Sequence, residues 1–238
     1  MALWTKSSCF AWKAAIRAGS YARRRNEGSA KDPSPAAVSA VTTEHFVLQG
    51  SRAWTITEST GRASMFLTAV SGGLVALGLV ATASGIGSAF YAFALILLPT
   101  LAFVGLVTFE RTLQSGVEDY GYARRIALLR GFYFDSAPEV TPYLLSVPEA
   151  ERVRVQGVGG GRWQGFRTVA GMVAVITCVL FGSAIGLAVA VAFGHKLALS
   201  LVAGGAVALV ALRVLMRFQK AAWWHAAAAP VSFEETAG

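Results

Sequence analysis

The chain has 238 residues, 55% of them hydrophobic and 14% charged, and a formal net charge of +8. Soluble domains contain about 25% charged residues, and a charge at the centre of a bilayer costs about 2.5 to 3.5 kcal/mol. Four long apolar stretches carry no acidic residue and one basic residue, Arg213. This distribution excludes an ordinary soluble domain and predicts an all-α integral membrane protein.

Residues 1–42 are predicted to be a basic leader followed by a linker. The first 26 residues contain no acid and combine Lys and Arg with Trp4 and Trp12, a composition typical of a helix lying in the membrane interface. A disordered leader fits equally well, and an Arg-rich transit peptide is a third reading. Ser, Ala, Pro and Asp predominate over residues 27–41, which indicates a linker. We therefore expect this region to be partly disordered.

The segment 43–62 is predicted to be a pre-membrane helix, because Thr43 stands before Glu44 in a capping arrangement. It leads into two apolar runs at residues 63–84 and 88–109. Each has the roughly 20 residues that a helix needs to cross about 30 Å of hydrocarbon. They predict a first transmembrane hairpin.

Residues 110–168 form the longest polar segment between apolar runs, and we expect a cytoplasmic helical loop there. Apolar spacing over residues 110–134 predicts that the second span continues as a helix. The Gly-rich segment 157–163 lacks the Gly-Lys-Ser/Thr ending of a phosphate loop and indicates a tether. A candidate interaction face for a cytoplasmic protein or a nucleotide-signal partner comprises Tyr120, Arg124, Arg125 and Arg130.

The apolar runs 169–193 and 197–216 predict a second transmembrane hairpin, followed by a cytoplasmic tail at residues 217–238. Small residues recur every four positions along the third span, and such a ridge lets helices approach closely in lipid. The ridge is expected to pack against another span of the chain or against a second copy. The residues chosen for this role are Ala174, Cys178, Gly182, Gly186, Ala190 and Gly204, and a shorter small-residue stripe in the first span comprises Ser64, Thr68, Gly72 and Ala76.

Basic residues concentrate before the first span, between residues 110 and 167, and after the fourth span. The positive-inside rule then places both termini and the middle loop in the cytoplasm. We expect a four-helix bundle in the cell membrane, with its basic residues against an anionic inner leaflet. The same contact explains the net charge of +8, so nucleic-acid binding is not expected.

Ionisable groups at depth mark proton relays and cation sites, and the four apolar runs contain no Asp, Glu, His or Lys. His45, His195 and His225 are far apart in sequence, so no catalytic, cofactor or metal site is expected. A self-associating, homo-oligomeric signalling or effector module is the leading interpretation. A channel or carrier for a neutral or anionic solute is the alternative, and a membrane-embedded enzyme is third.

Two blocks carry a resemblance: EHFVLQGSRAWTITESTGRASMFLTAVSGGLVALG and TFERTLQSGVEDYGYARRIALLRGFYFDSAPEV. Together they resemble four-span membrane proteins of high-GC Gram-positive bacteria. More distantly, the first hairpin with its following helix is similar to SLATT-type membrane effectors. That resemblance implies pore formation triggered by a nucleotide-sensing partner, and it implies no particular catalytic or binding residue.

Overall fold

A computed structural model of the chain describes residues 34–136, 164–194 and 196–229. Over these residues the protein is all-helical, without strands. The predicted leader up to residue 33, the Gly-rich tether and the tail beyond residue 229 lie outside the described residues. The helices are α1 (Pro35–Ser84), α2 (Ser88–Ser136), α3 (Gln164–Arg167), α4 (Val169–Ala192) and α5 (Leu197–Ala228).

Four of these helices, α1, α2, α4 and α5, are long and apolar enough to cross a membrane. The all-α prediction with four candidate spans is therefore confirmed, and it is compatible with a multi-pass membrane protein. Next to the short connections, three helix ends coincide with the ends of the predicted apolar runs. Helix α1 ends at Ser84, α2 begins at Ser88 and α5 begins at Leu197.

The first helix begins earlier than the sequence interpretation placed it. The composition of residues 27–41 predicts a linker, whereas α1 starts at Pro35. The Oγ atom of Ser34 accepts a hydrogen bond from the backbone N–H of Ala37 at 3.2 Å. Serine is a favoured N-cap, and the φ angle of proline suits the first helical position. Ser34 and Pro35 together therefore start a helix within a Pro-containing segment.

The second helix continues well past its apolar run. Residues 88–136 form one helix with Pro99 inside it, which confirms the predicted helical extension over residues 110–134. Proline has no N–H to donate to the preceding turn, and in a span the neighbouring helices compensate for the lost bond.

The described residues belong to two compact units. The larger unit comprises residues 54–119 and 165–224 and contains the four apolar segments. Its core is one cluster of buried side chains, with Phe66, Phe109 and Val173 almost completely buried. Leu215 and Met216 of α5 pack against this cluster. All four long helices therefore contribute to a single core.

A glycine sets the spacing of three helices in this core. A Cβ atom added to Gly105 of α2 would lie 2.8 Å from Cζ of Phe66 in α1, and it would also collide with the hydroxyl of Thr177 in α4. Real Cβ atoms essentially never approach so closely. The ring of Phe66 therefore lies where any other residue at position 105 would place its side chain.

Candidate functional site

Helices α4 and α5 meet through glycines. A Cβ atom added to Gly182 would lie 2.5 Å from the carbonyl oxygen of Gly204, and one added to Gly204 would lie 2.6 Å from that of Gly182. At Gly186 the nearest atom would be the carbonyl oxygen of Ser200, at 2.9 Å. Backbone therefore faces backbone along this contact, a separation that small residues alone permit.

The remaining members of the predicted ridge lie along the same helix. Ala174 and Cys178 are buried, at 0% and 2% exposure, whereas Ala190 is half-buried. The structure thus brings Gly182, Gly186 and Gly204 together inside one chain. A second copy could not occupy this part of the ridge without displacing α5.

A partly open apolar cavity of about 630 Å³ lies between α2, α4 and α5. Its lining includes Pro99 and Phe103 of α2, Cys178 of α4, and Val210 and Val214 of α5. Thr177 also lines the cavity, and its hydroxyl donates to the carbonyl of Val173 at 2.8 Å. The cavity wall is therefore almost entirely carbon, which suits an apolar occupant.

A polar clamp holds the start of α4. The hydroxyl of Thr168 accepts the N–H of Gly171 at 3.0 Å as the helix N-cap. The side chain of Gln219 in α5 donates to Thr168 Oγ1 and to the carbonyl of Gly165, at 3.1 and 3.0 Å. Gln219 is 3% exposed. The buried side-chain amide of Gln219 in α5 therefore donates hydrogen bonds to two oxygen atoms of the turn that precedes α4.

A charged network links α1 and α2 next to their apolar segments. Glu58 Oε1 accepts hydrogen bonds from Arg62 Nε at 2.9 Å and from Arg111 Nη2 at 3.0 Å. Arg111 also donates to Gln114, which in turn donates to Glu110. The hydrogen bonds from Arg62 and Arg111 lower the pKa of Glu58. One carboxylate of α1 thereby binds two arginines, Arg62 of α1 and Arg111 of α2.

The lowered pKa gives a pH-dependent prediction. Because folding lowers the pKa of Glu58, its stabilising effect is present above the pKa of an unfolded glutamate, about 4.3, and is lost as the pH falls through the folded value. The melting temperature of the parent in detergent should therefore drop more between about pH 6 and pH 3 than that of Glu58→Gln. Glu44→Gln, which removes an exposed carboxylate from the same helix, is the control. Parallel curves for the parent and Glu58→Gln would contradict the prediction.

The predicted interaction face is partly engaged within the chain. Arg124 donates to the carbonyls of Ala226 and Ala229, at 3.1 and 2.8 Å, where α5 ends. A cation at this position compensates the unpaired carbonyls and the negative end of the helix dipole. Arg124 also lies over the ring of Tyr120, 5.8 Å from its centroid.

The other two members of that face differ in exposure. Arg125 is exposed and Arg130 is half-buried. Burial of the imidazole lowers the pKa of His45, and the charge of Arg130 lowers it further. His45 also packs edge-on against Tyr133, with ring centroids 6.0 Å apart. Of the predicted set, Arg125 is thus the residue that the structure leaves most accessible to a partner.

Sequence reasoning missed Gly105 and Gln219 and did not foresee the cavity. Gly105 belongs to no four-residue repeat of small residues, and Gln219 lies beyond the fourth apolar run, between Phe218 and Lys220. A glutamine immediately after a span was the available signal for Gln219, because a buried amide requires partners. The shape of the cavity depends on three helices at once, so no local pattern could indicate it.

The described residues include no group of three or more His, Cys, Asp or Glu side chains that could hold a metal ion. Comparisons with protein-family models, with curated proteins and with solved structures find no match.

Proposed function

We propose that the protein is a multi-pass protein of the cell membrane that acts as a self-associating signalling or effector module and not as an enzyme. In this proposal two transmembrane hairpins form a four-helix bundle, and both termini and residues 110–168 lie in the cytoplasm. The observation that carries it is the continuity of α1 and α2. Each helix runs unbroken from its apolar segment into a long polar segment.

That continuity matters because a helix is stiff over a few turns. Binding of a partner at the polar end can shift an apolar segment only if no flexible joint lies between them. In α1 the apolar segment is joined to 28 helical residues that precede it, from residue 35 to residue 62. The resemblance of this region to SLATT-type effectors supports the same proposal. A protein or a nucleotide-signal partner that binds the face formed by Tyr120, Arg124, Arg125 and Arg130, of which Arg125 is exposed, would supply the trigger.

The orientation can be tested by cysteine labelling. In a background with Cys9→Ser and Cys178→Ala, Ile86→Cys lies on the exposed α1–α2 connection, where Ile86 is 72% exposed. An impermeant maleimide should label Ile86→Cys in intact cells and Gly131→Cys only after lysis. Labelling of Gly131→Cys in intact cells, or protein that stays soluble without detergent, would contradict the proposed membrane topology.

Self-association needs a surface that the chain does not use itself. The ridge of α4 faces α5, but the small-residue stripe of α1 is open: a Cβ atom added to Gly72 would meet nothing within 4 Å. Thr68 and Ser64, one and two turns earlier, are exposed. Close approach of small residues drives helix association in lipid, so this stripe is the proposed contact between copies.

Gly72→Leu should reduce self-association without affecting the fold of the protomer. Gly78→Leu is the matched control, because a Cβ atom at Gly78 also meets nothing within 4 Å and this glycine lies off the stripe. Crosslinking in native membranes should show several-fold fewer dimers for Gly72→Leu, with melting temperatures unchanged for both variants. Equal crosslinking of the two variants would remove the stripe from the proposal.

The alternative of a channel or carrier remains a proposal of lower rank. The cavity beside Pro99 has a wall that is almost entirely carbon. Hydrated ions need polar groups to replace their water. The lining therefore suits an apolar chain better than an anion.

A further inference from the structure

Basic residues of α5 lie close in sequence to the residues that line the apolar cavity. On α5 the lining residues Ala206, Val210 and Val214 are spaced by four and lie on one helix face. Arg217 follows Val214 by three residues and Val210 by seven, which puts it on the same face. Arg213 follows Ala206 by seven residues and lies at the edge of that face.

Both arginines are exposed, and their position relative to the apolar run matters. Arg213 lies within the predicted fourth span and Arg217 directly after it. Long basic side chains so placed extend towards the headgroup layer while their methylene stems stay against hydrocarbon. Their guanidinium groups are therefore expected at the level of the lipid phosphates.

One acidic residue opposes them. Glu110 is exposed and follows the lining residue Leu106 by four positions, so it faces the same end of the cavity from α2. Gln114 donates a hydrogen bond to its carboxylate at 3.3 Å. Arg213 and Arg217 together outweigh this single negative charge, and Lys220 adds a further positive charge one turn later on α5.

We propose that this cavity and the two arginines form a binding site for one anionic phospholipid. An acyl chain occupies the space between α2, α4 and α5, and the phosphate pairs with Arg213 and Arg217. The volume of about 630 Å³ falls within the range of small-molecule pockets, about 300 to 1,000 Å³. Basic pockets between spans on the cytoplasmic side are a known form of headgroup recognition. The inference rests on the proposed membrane location and not on self-association.

The test is a lipid titration of the purified full-length protein in neutral detergent, read by native mass spectrometry. Phosphatidylglycerol and phosphatidylcholine with the same acyl chains are the probes. We expect phosphatidylglycerol to bind at least tenfold more tightly. The combined Arg213→Gln and Arg217→Gln variant should bind phosphatidylglycerol about 25-fold more weakly, since each charge near the surface contributes about fivefold, and should no longer prefer it to phosphatidylcholine. Lys196→Gln, which removes a charge at the opposite end of α5, should leave it unchanged.

The cavity has its own pair of variants. Ala211→Phe fills the space, and Ala198→Phe makes the same substitution at an exposed position of α5. Ala211→Phe should weaken the binding of both lipids about tenfold or more, whereas Ala198→Phe should leave the binding of both unchanged. If Ala211→Phe does not fold, Ala206→Phe on the exposed rim of the cavity replaces it.

Three outcomes would overturn the inference. Equal affinity of the parent for both lipids would remove the headgroup contact. Full lipid affinity in folded Ala211→Phe or Ala206→Phe protein would remove the cavity as the acyl site. An unchanged preference in the double arginine variant would place the phosphate elsewhere. Failure of the membrane location is a separate result, because the protein would then be soluble without detergent.

Discussion

Replacing Gly204 by alanine should destabilise the protein by about 1 to 3 kcal/mol, the usual cost of forcing an extra carbon into a packed contact. The new Cβ atom would lie 2.6 Å from the carbonyl oxygen of Gly182 and 3.2 Å from the Cα atom of Gly186. Both are backbone atoms of α4, so no side-chain rotation can make room. The helices must separate, and the contacts along the whole α4–α5 interface weaken with them.

The neighbouring glycine provides a matched control. A Cβ atom at Gly205 meets nothing within 4 Å, and alanine is the better helix former by about 1 kcal/mol in water. Gly205→Ala should therefore be neutral or slightly stabilising. Unfolding of the two variants in mixed micelles, followed by circular dichroism, compares the same chemical change at adjacent positions. Indistinguishable unfolding curves would show that α4 and α5 do not meet at Gly204.

Replacing Gly105 by alanine should be similarly costly, again by about 1 to 3 kcal/mol. Here the added carbon would meet the ring of Phe66, 2.8 Å away, and the hydroxyl of Thr177. Phe66 is 1% exposed, so its ring has no free space into which to move, and Thr177 can rotate its hydroxyl away only by giving up the hydrogen bond to the carbonyl of Val173. The substitution therefore affects three helices at once.

The contact at Gly105 can be verified by coupling between substitutions. Phe66→Leu and Thr177→Ala each remove packing and should destabilise the parent. In the Gly105→Ala background both should cost less, because they relieve the overlap. Gly121→Ala in the same helix meets nothing within 4 Å and controls for the glycine change itself. Strictly additive free energies of unfolding would argue against the described packing of Phe66 on Gly105.

The four long helices could be predicted from the sequence because each apolar segment specifies its own helix through the residues it contains. Roughly 20 uncharged apolar residues in a row have one stable arrangement in hydrocarbon, in which every backbone group is paired within the helix. The ends of α1 and α5 on the side of the short connections could therefore be predicted to the residue. The start of α1 could not be predicted, since the Pro and Ser residues at positions 33–35 indicate a linker and a helix start equally well.

The packing between helices was less predictable, because each contact depends on which residues of another helix lie opposite. Gly204 and Gly205 are adjacent and chemically identical, yet one faces the backbone of α4 and the other meets no neighbour. The four-residue repeat singled out Gly204 but could not say whether its partner was α4 of the same chain or a second copy. Arg124 has the same difficulty: its partners at the end of α5 are 102 and 105 residues away in sequence.

The short connection between α1 and α2 affects how these two helices can insert into the membrane during synthesis. Gly85 has a φ of 68°, a left-handed conformation that glycine adopts without steric cost, and only Gly85, Ile86 and Gly87 separate the two helices. In the proposed orientation these three uncharged residues are all that must be translocated to the far side when the first two helices insert. So small a polar load allows both helices to enter the bilayer together during synthesis, already adjacent and antiparallel.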